Sequence, residues 1–385
     1  MGSAMIRPRE LPESESAKGH DVPGPGPRPP SSPKKASRRW APIVVGTCTW
    51  LGACSSTKVS EAPEMVPSVE VGARHYARTC ALCHGERGEG YVADNATALN
   101  GATFLASASD DFLRRSIARG RPSTTMSAWS STLGGPYGDA DIASIVAFMR
   151  TWQTSPSVTL TPSTLVGDIA SGESLYAAKC ESCHGAAGKG GPNVRLANPE
   201  FLAIASDAFL AYAIAKGRAP TPMRAYEGEL TEQQIADVVA LIRSWAKPVL
   251  TGAVPLPGSL GPVILHEGGP EPNFVIGQRF TPADTIKAEL DRGAAMGFLD
   301  ARAPSDYVEG HIAGANDVPF YDATKYVTLL PKDRWLVSYC GCPHAESGKL
   351  ADTLYEHGFT KVTILDEGFF VWSDRGYPVR TGVDP

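Results

Sequence analysis

Apolar residues recur at steps of three and four in two stretches of the chain: Ile142, Ile145, Val146 and Met149, then Ile235, Val238, Val239 and Ile242. That spacing puts each set on one helical face, so both stretches read as amphipathic helices. Each closes a longer segment, and the two segments share landmarks in one order. Residues 69–153 carry Tyr76, Cys80-Ala81-Leu82-Cys83-His84, Gly88, Phe104-Leu105-Ala106, Ser109-Asp110, Phe112-Leu113, Gly120-Arg121, Met126 and Arg150-Thr151-Trp152. Residues 167–247 carry Tyr176, Cys180-Glu181-Ser182-Cys183-His184, Gly188, Phe201-Leu202-Ala203, Ser206-Asp207, Phe209-Leu210, Gly217-Arg218, Met223 and Arg243-Ser244-Trp245. So many matched positions imply a duplicated helical domain. The Ser-Asp pairs precede Phe-Leu segments and read as helix N-caps.

Beyond about Phe274 the period changes. Gly297–Asp300, Trp335–Tyr339 and Lys361–Leu365 are short apolar or β-branched runs, with helical patterns over Pro282–Arg292 and Ser347–His357. Such alternation predicts an α/β domain with a parallel sheet. Residues 154–162 link the repeats, and a Pro/Gly-rich linker at 248–274 precedes this last domain, 275–385. At 385 residues and 42% apolar content, several folded domains are expected rather than one core.

The N-terminal segment, 1–53, has a different character. A Pro, Ser and charge-rich stretch, 7–37, cannot bury enough apolar surface to order itself. Lys34, Lys35, Arg38 and Arg39 then precede an apolar run, 40–53, too short to span a bilayer comfortably, and small residues follow, as in an export signal. Leu51-Gly52-Ala53-Cys54 resembles the lipobox of bacterial lipoproteins. The resemblance implies a lipidated Cys54 after cleavage, a tether over 54–68 and a place on the periplasmic side of a diderm bacterium. Ser55, where an Asp would favour the inner membrane, points to the outer one. An ordinary cleaved signal or an uncleaved anchor are the alternatives. Removing residues 1–53, whose net charge is +4, takes the chain from −5 to −9. That acidity argues against nucleic acid as a partner.

Four of the eight cysteines lie in the two Cys-x-x-Cys-His motifs. This spacing sets two thiols one helical turn apart, suited to thioether bonds to the two vinyl groups of a haem, with the adjacent His reaching the iron. A redox or zinc site is the alternative, and zinc needs further ligand clusters that neither copy supplies. The repeats resemble class I c-type cytochromes over their whole length. The resemblance implies two covalently bound haems, attached through Cys80 and Cys83 and through Cys180 and Cys183, with His84 and His184 as proximal iron ligands. Met126 and Met223, each six residues after the Gly of a Gly-Arg pair, are the implied distal ligands. A His/Met set leaves no open iron position and raises the potential over bis-His ligation, which suits electron transfer with redox partner proteins. Met149, Trp152, Trp245, Tyr76 and Tyr176 read as packing.

Leu299 to Tyr307 and Glu309 to Ala315, with Trp335 to Cys340, Leu365 to Trp372 and Gly376 to Val379, resemble a rhodanese domain over roughly 280–382. Rhodaneses carry a nucleophilic Cys after a central strand, in a loop whose N–H groups and following helix stabilise the thiolate. Cys340 holds that position. The resemblance implies attack on a sulfane-sulfur donor and transfer of the persulfide sulfur to a thiophilic acceptor. Cys342 is a resolving thiol or the alternative nucleophile. The loop lacks Arg, and Glu346 stands where phosphatase and arsenate reductase relatives hold an oxyanion, so anion repulsion is expected. His344 supplies positive charge or is a solvated loop residue, Asp300 and Arg302 hold the loop, and His311 packs.

The expected protein is multidomain, two all-α cytochrome c domains followed by an α/β rhodanese-like domain. Its expected role is electron transfer, with sulfane-sulfur capture or oxidation coupled to a respiratory chain. A plain electron carrier with a catalytically silent rhodanese module, and a sulfur or redox sensor, are the rival readings.

Overall fold

The structure is a computed structural model that describes residues 66–93, 96–249, 255–341 and 344–385. Cys54 and Cys342 lie outside the described residues. In the first repeat, helix α1 (Val69–His75) starts where the Ser68 hydroxyl accepts from the Val71 N–H. It continues through a π-helical turn, Tyr76–Cys80, into α2 (Ala81–His84), followed by α3 (Ala102–Ser107), α4 (Asp110–Arg119) and α5 (Asp139–Arg150). The second repeat gives α6 (Ile169–Lys179), α7 (Glu181–His184), α8 (Pro199–Ile204), α9 (Asp207–Lys216) and α10 (Glu232–Ser244).

The shared landmarks do matching structural work. α1 meets α5 at Gly72, where a Cβ would lie 1.9 Å from the Ser144 carbonyl oxygen; α6 meets α10 at Gly172, 2.3 Å from that of Asp237. Trp152 lies over Gly88 and Trp245 over Gly188, where a Cβ would sit 2.6 and 2.5 Å from the indole. Tyr76 and Tyr176 meet those indoles edge-on at 5.1 and 5.0 Å and donate to the Gly85 and Gly185 carbonyls. Of the two residues read as caps, only the serine is one. Ser109 accepts from Phe112 N–H and Ser206 from Phe209 N–H, while Asp110 and Asp207 are the first helical residues and pair with Arg150 and Arg243. Arg150 also donates to the Leu105 and Ala108 carbonyls, and Arg243 to those of Leu202 and Ala205, which ties each terminal helix to the C-terminal end of α3 or α8 as well as to the start of α4 or α9.

The C-terminal part contains β1 (Phe280–Thr281), α11 (Ala283–Asp291), β2 (Met296–Asp300), α12 (Pro304–Glu309), β3 (His311–Ile312), β4 (Ala315–Asp317), β5 (Trp335–Tyr339), α13 (Ala345–Glu356), β6 (Val362–Leu365), α14 (Gly368–Asp374) and β7 (Val379–Arg380). Five strands pair in parallel in the order β1-β6-β5-β2-β4, and β3 pairs antiparallel with β7. Every residue of β2 and β5 is buried, as central strands of a parallel sheet require. The short strands β1 and β4 gave no periodic signal.

The Pro/Gly-rich linker does not hold the parts apart. Phe112 and Phe209 meet at 4.7 Å between the repeats, and Trp129 of the first repeat packs on Phe320 and Tyr321 of the α/β part at 6.3 and 6.1 Å. One hydrophobic core therefore runs through all three. Among the described residues, no helix is long and apolar enough to cross a membrane. Gly72→Ala is expected to destabilise the protein by about 2 to 3 kcal/mol, because the backbone must move to admit the methyl. A denaturant midpoint equal to that of the wild type would contradict so tight a crossing.

Candidate functional site

Each Cys-x-x-Cys-His turn follows directly from the first helix of its repeat. Cys80, Cys83, Cys180 and Cys183 are in no disulfide. His84 Nδ1 lies 2.8 Å from the Thr97 carbonyl and His184 Nδ1 2.9 Å from that of Val194. Burial pushes both imidazoles below their ordinary value, so they are neutral at neutral pH. With Nδ1–H donating to a carbonyl, Nε2 keeps its lone pair for a metal.

The two Met loops are also built alike. Arg121 N–H donates to the Met126 carbonyl and Met126 N–H to Thr124 Oγ1; Arg218 N–H donates to the Met223 carbonyl and Met223 N–H to Thr221 Oγ1. Gly120, at φ 60°, lets the loop double back, because a Cβ there would meet the Met126 and Ser127 carbonyls at about 2.5 Å. Both methionines are half-buried against the core. Two thiols a turn apart, a neutral His and a thioether are the donor set of a covalently held haem, and the residues fit that group. Among the described residues no cluster of three or more His, Cys, Asp or Glu could hold a metal ion.

Cys340 directly follows the central strand β5 and is 1% exposed. Its Sγ lies 3.3 Å from Ser347 Oγ on α13, and its carbonyl accepts from Phe369 N–H. His344 sits left-handed at φ 72° before α13, with Nε2 2.8 Å from Asp366 Oδ1 and the ring on Phe280, so its polar edge serves Asp366. Arg302 makes two bonds to Asp300, at 2.9 and 2.5 Å, and one to the Gly310 carbonyl. Arg302 therefore borders the loop without a hydrogen bond to it: a Cβ on Gly341 would lie 3.6 Å from its Cδ. His311 stacks on Tyr307 at 3.8 Å with its nitrogens facing the Tyr307 and Asp384 carbonyls, a packing residue as expected.

The repulsion expected from Glu346 is weakened by its burial. Burial, reinforced by the nearby Cys340, pushes its carboxyl well above the usual range, which favours the neutral acid over the carboxylate. Burial likewise pushes Asp306 up to about 6 and Asp317 up to about 8.

Sequence reasoning missed the junction between the Met126 loop and the α/β part. Ser123 donates its N–H (3.0 Å) and hydroxyl to Glu309, and a Cβ on Gly341 would be 3.7 Å from Thr125 Cα. A signal existed: in the otherwise matched second loop, Pro220 stands at the position of Ser123 and has no N–H to give.

Comparison with known proteins agrees with this geometry. A family model described as "Cytochrome C oxidase, cbb3-type, subunit III" matches residues 67–149 and 167–242, and a "Rhodanese-like domain" model matches residues 282–375. Cytochrome c6 of Thermosynechococcus vestitus is 33% identical over 23% of this chain and 85% of its own length. The thiosulfate sulfurtransferase GlpE of Pseudomonas paraeruginosa is 30% identical over 27% of this chain and 90% of its own. The chain belongs to the c-type cytochromes and carries a C-terminal rhodanese-like domain. It also matches the HTH-type transcriptional regulator Rv0324 of Mycobacterium tuberculosis, 31% identical over 26% of this chain, and spans about half (47%) of that relative's length. Cytochrome domains imply covalently bound haem and redox partner proteins.

The raised carboxylate Asp317 sets a pH dependence. Its folded pKa exceeds the unfolded value of about 3.9, so the folded state keeps a proton that the unfolded state releases. Stability is therefore lost as pH rises from about 4 to about 8. Asp317→Asn should flatten this fall, gaining more over wild type at pH 9 than at pH 5. Equal gains in denaturant midpoint at both pH values would refute the assignment.

Proposed function

We propose that the chain is a dihaem cytochrome that couples sulfur chemistry at Cys340 to electron transfer. The observation that carries this is that the Cys340-Gly341 turn lies beside Thr125, one residue from Met126, with a methyl's width between them. Cys80, Cys83, Cys180 and Cys183 attach the haems, His84 and His184 are the proximal ligands, and Met126 and Met223 the distal ones. Each haem, when bound, supplies a one-electron couple. Cys54 anchors the exported protein on the periplasmic side, at the outer membrane of a diderm bacterium.

Capture of sulfur moves no net electrons. The Cys340 thiolate attacks the terminal sulfur of a sulfane donor, the donor's S–S bond breaks, and the leaving group departs with the bonding pair. Oxidation releases electrons: one hydrosulfide and one Cys340 thiolate give the same persulfide plus a proton and two electrons, the number two one-electron domains accept. The persulfide sulfur then passes to a thiophilic acceptor, with Cys342 as resolving thiol or alternative nucleophile. Burial of Cys340 restricts the donor to a small or linear one.

The two motifs face different surroundings. Leu82 borders a cleft of 610 Å³ shared with Lys349, Asp352 and Glu356 of α13, whereas Glu181, Ser182 and Cys183 are exposed. The second domain therefore offers its motif to an external redox partner. A second reading, a plain carrier with a silent rhodanese module, draws support from the burial of Cys340.

Cys180→Ser with Cys183→Ser should halve the covalent haem per chain, read from the haem absorbance of denatured protein; unchanged content would contradict two haems. Sulfide should reduce the wild type, and Cys340→Ser should slow this at least tenfold. Equal rates in the two proteins would favour the plain carrier.

A further inference from the structure

The Met126 loop is gripped from two sides. From the second repeat, Asn198 Nδ2 donates to the Pro122 carbonyl at 2.9 Å and Arg195 to that of Ser123 at 3.3 Å. From the rhodanese-like domain, Glu309 at the end of α12 accepts both the N–H and the hydroxyl of Ser123. Ser123 is held at φ 59°, a left-handed conformation unfavourable for a non-glycine residue, so its two bonds to Glu309 fix a backbone that would otherwise relax.

The Met223 loop is an internal control. Its own hydrogen bonds copy those of the first loop, and the first repeat grips it through Thr103, which donates to the Gly217 carbonyl and accepts from Arg218. Pro220, at the position of Ser123, cannot donate an N–H to a carboxylate. The same loop thus occurs twice in one chain, once with a carboxylate clamp from a third domain and once with a residue that cannot take one.

We propose that Glu309 is a positioning residue for Met126, through which the rhodanese-like domain sets the potential of the first haem and leaves the second alone. This rests on the reading of Met126 as an iron ligand. Glu309 touches no ligand itself. It fixes Ser123, three residues before Met126, and the loop transmits that restraint because Met126 N–H is bonded to Thr124. Gly341, next to Cys340, faces Thr125 in the same loop across a gap that a methyl would fill, a Cβ there lying 3.7 Å from Thr125 Cα, so the sulfur site neighbours the segment that Glu309 holds.

The test is spectroelectrochemical titration of the full-length dihaem protein, comparing wild type, Glu309→Ala, Glu309→Gln and Met126→Ala. Met126→Ala identifies which potential belongs to the first haem, through loss of the Met-to-iron charge-transfer band. Glu309→Ala should move that potential alone by about threefold or more in equilibrium constant, about 30 mV at 59 mV per tenfold. Glu309→Gln, which keeps one acceptor oxygen, should restore part of the shift. Two unmoved potentials, or both moved equally, would overturn the role of Glu309 while leaving Met126 a ligand. A Met126→Ala protein with both bands intact would overturn the ligand assignment, and the inference with it.

Discussion

Both helical repeats depend on one close approach of two backbones. At Gly72 against Ser144, and at Gly172 against Asp237, the first and last helices cross with no room for a side chain. That crossing brings the terminal helix far enough over for Trp152 and Trp245 to lie on Gly88 and Gly188. The indoles in turn receive Tyr76 and Tyr176, whose hydroxyls hold the carbonyl just after each motif His. The Cys-x-x-Cys-His turn is thus fixed from behind by packing before any cofactor is considered, and a covalent prosthetic group meets a turn already shaped for it.

Duplication made this frame and then departed from it. The internal geometry of the two copies is nearly the same, so their difference lies in what surrounds them. The first copy gives Trp129 to Phe320 and Tyr321 and gives Ser123 to Glu309. The second presents Pro220 and an exposed motif. A third domain docked on one copy therefore makes two similar electron-handling units unequal without changing a proposed ligand.

Much of this was legible in the sequence because it rests on identity and period. The repeat shows itself through residues that small, rigid contacts demand, such as Gly88 under Trp152, and the parallel sheet through the fully buried runs of β2 and β5. The division of labour between Ser109 and Asp110 was not legible, because either side chain can cap a helix and only the position of Arg150 decides. Nor was the docking of the domains. Phe320, Tyr321 and Trp129 look like any core residues in sequence, and a Pro/Gly-rich linker fixes neither distance nor orientation. Glu309 gave no signal alone; only Ser123 set against Pro220 marked the place.

The rhodanese loop shows most clearly why residue type underdetermines chemistry. Read as a string, Glu346 beside Cys340 is a negative charge where an oxyanion-binding relative has a positive one. In the fold it is buried, with Asp306, Asp300 and Arg302 contributing to the same field, and its carboxyl is pushed well above the usual range, toward the protonated form. The repulsion anticipated from its formal charge is weakened to that extent. No compensating cation replaces it among the described side chains considered for that role: Arg302 is spent on Asp300 and Gly310, and His344 on Asp366. A nearly neutral pocket lowers the penalty for a reacting sulfur of low charge and does little to reward a dianion. What distinguishes this loop from an anion clamp is therefore how its charges are engaged, Arg302 with Asp300 and Asp366 with His344, more than how many charged residues it contains.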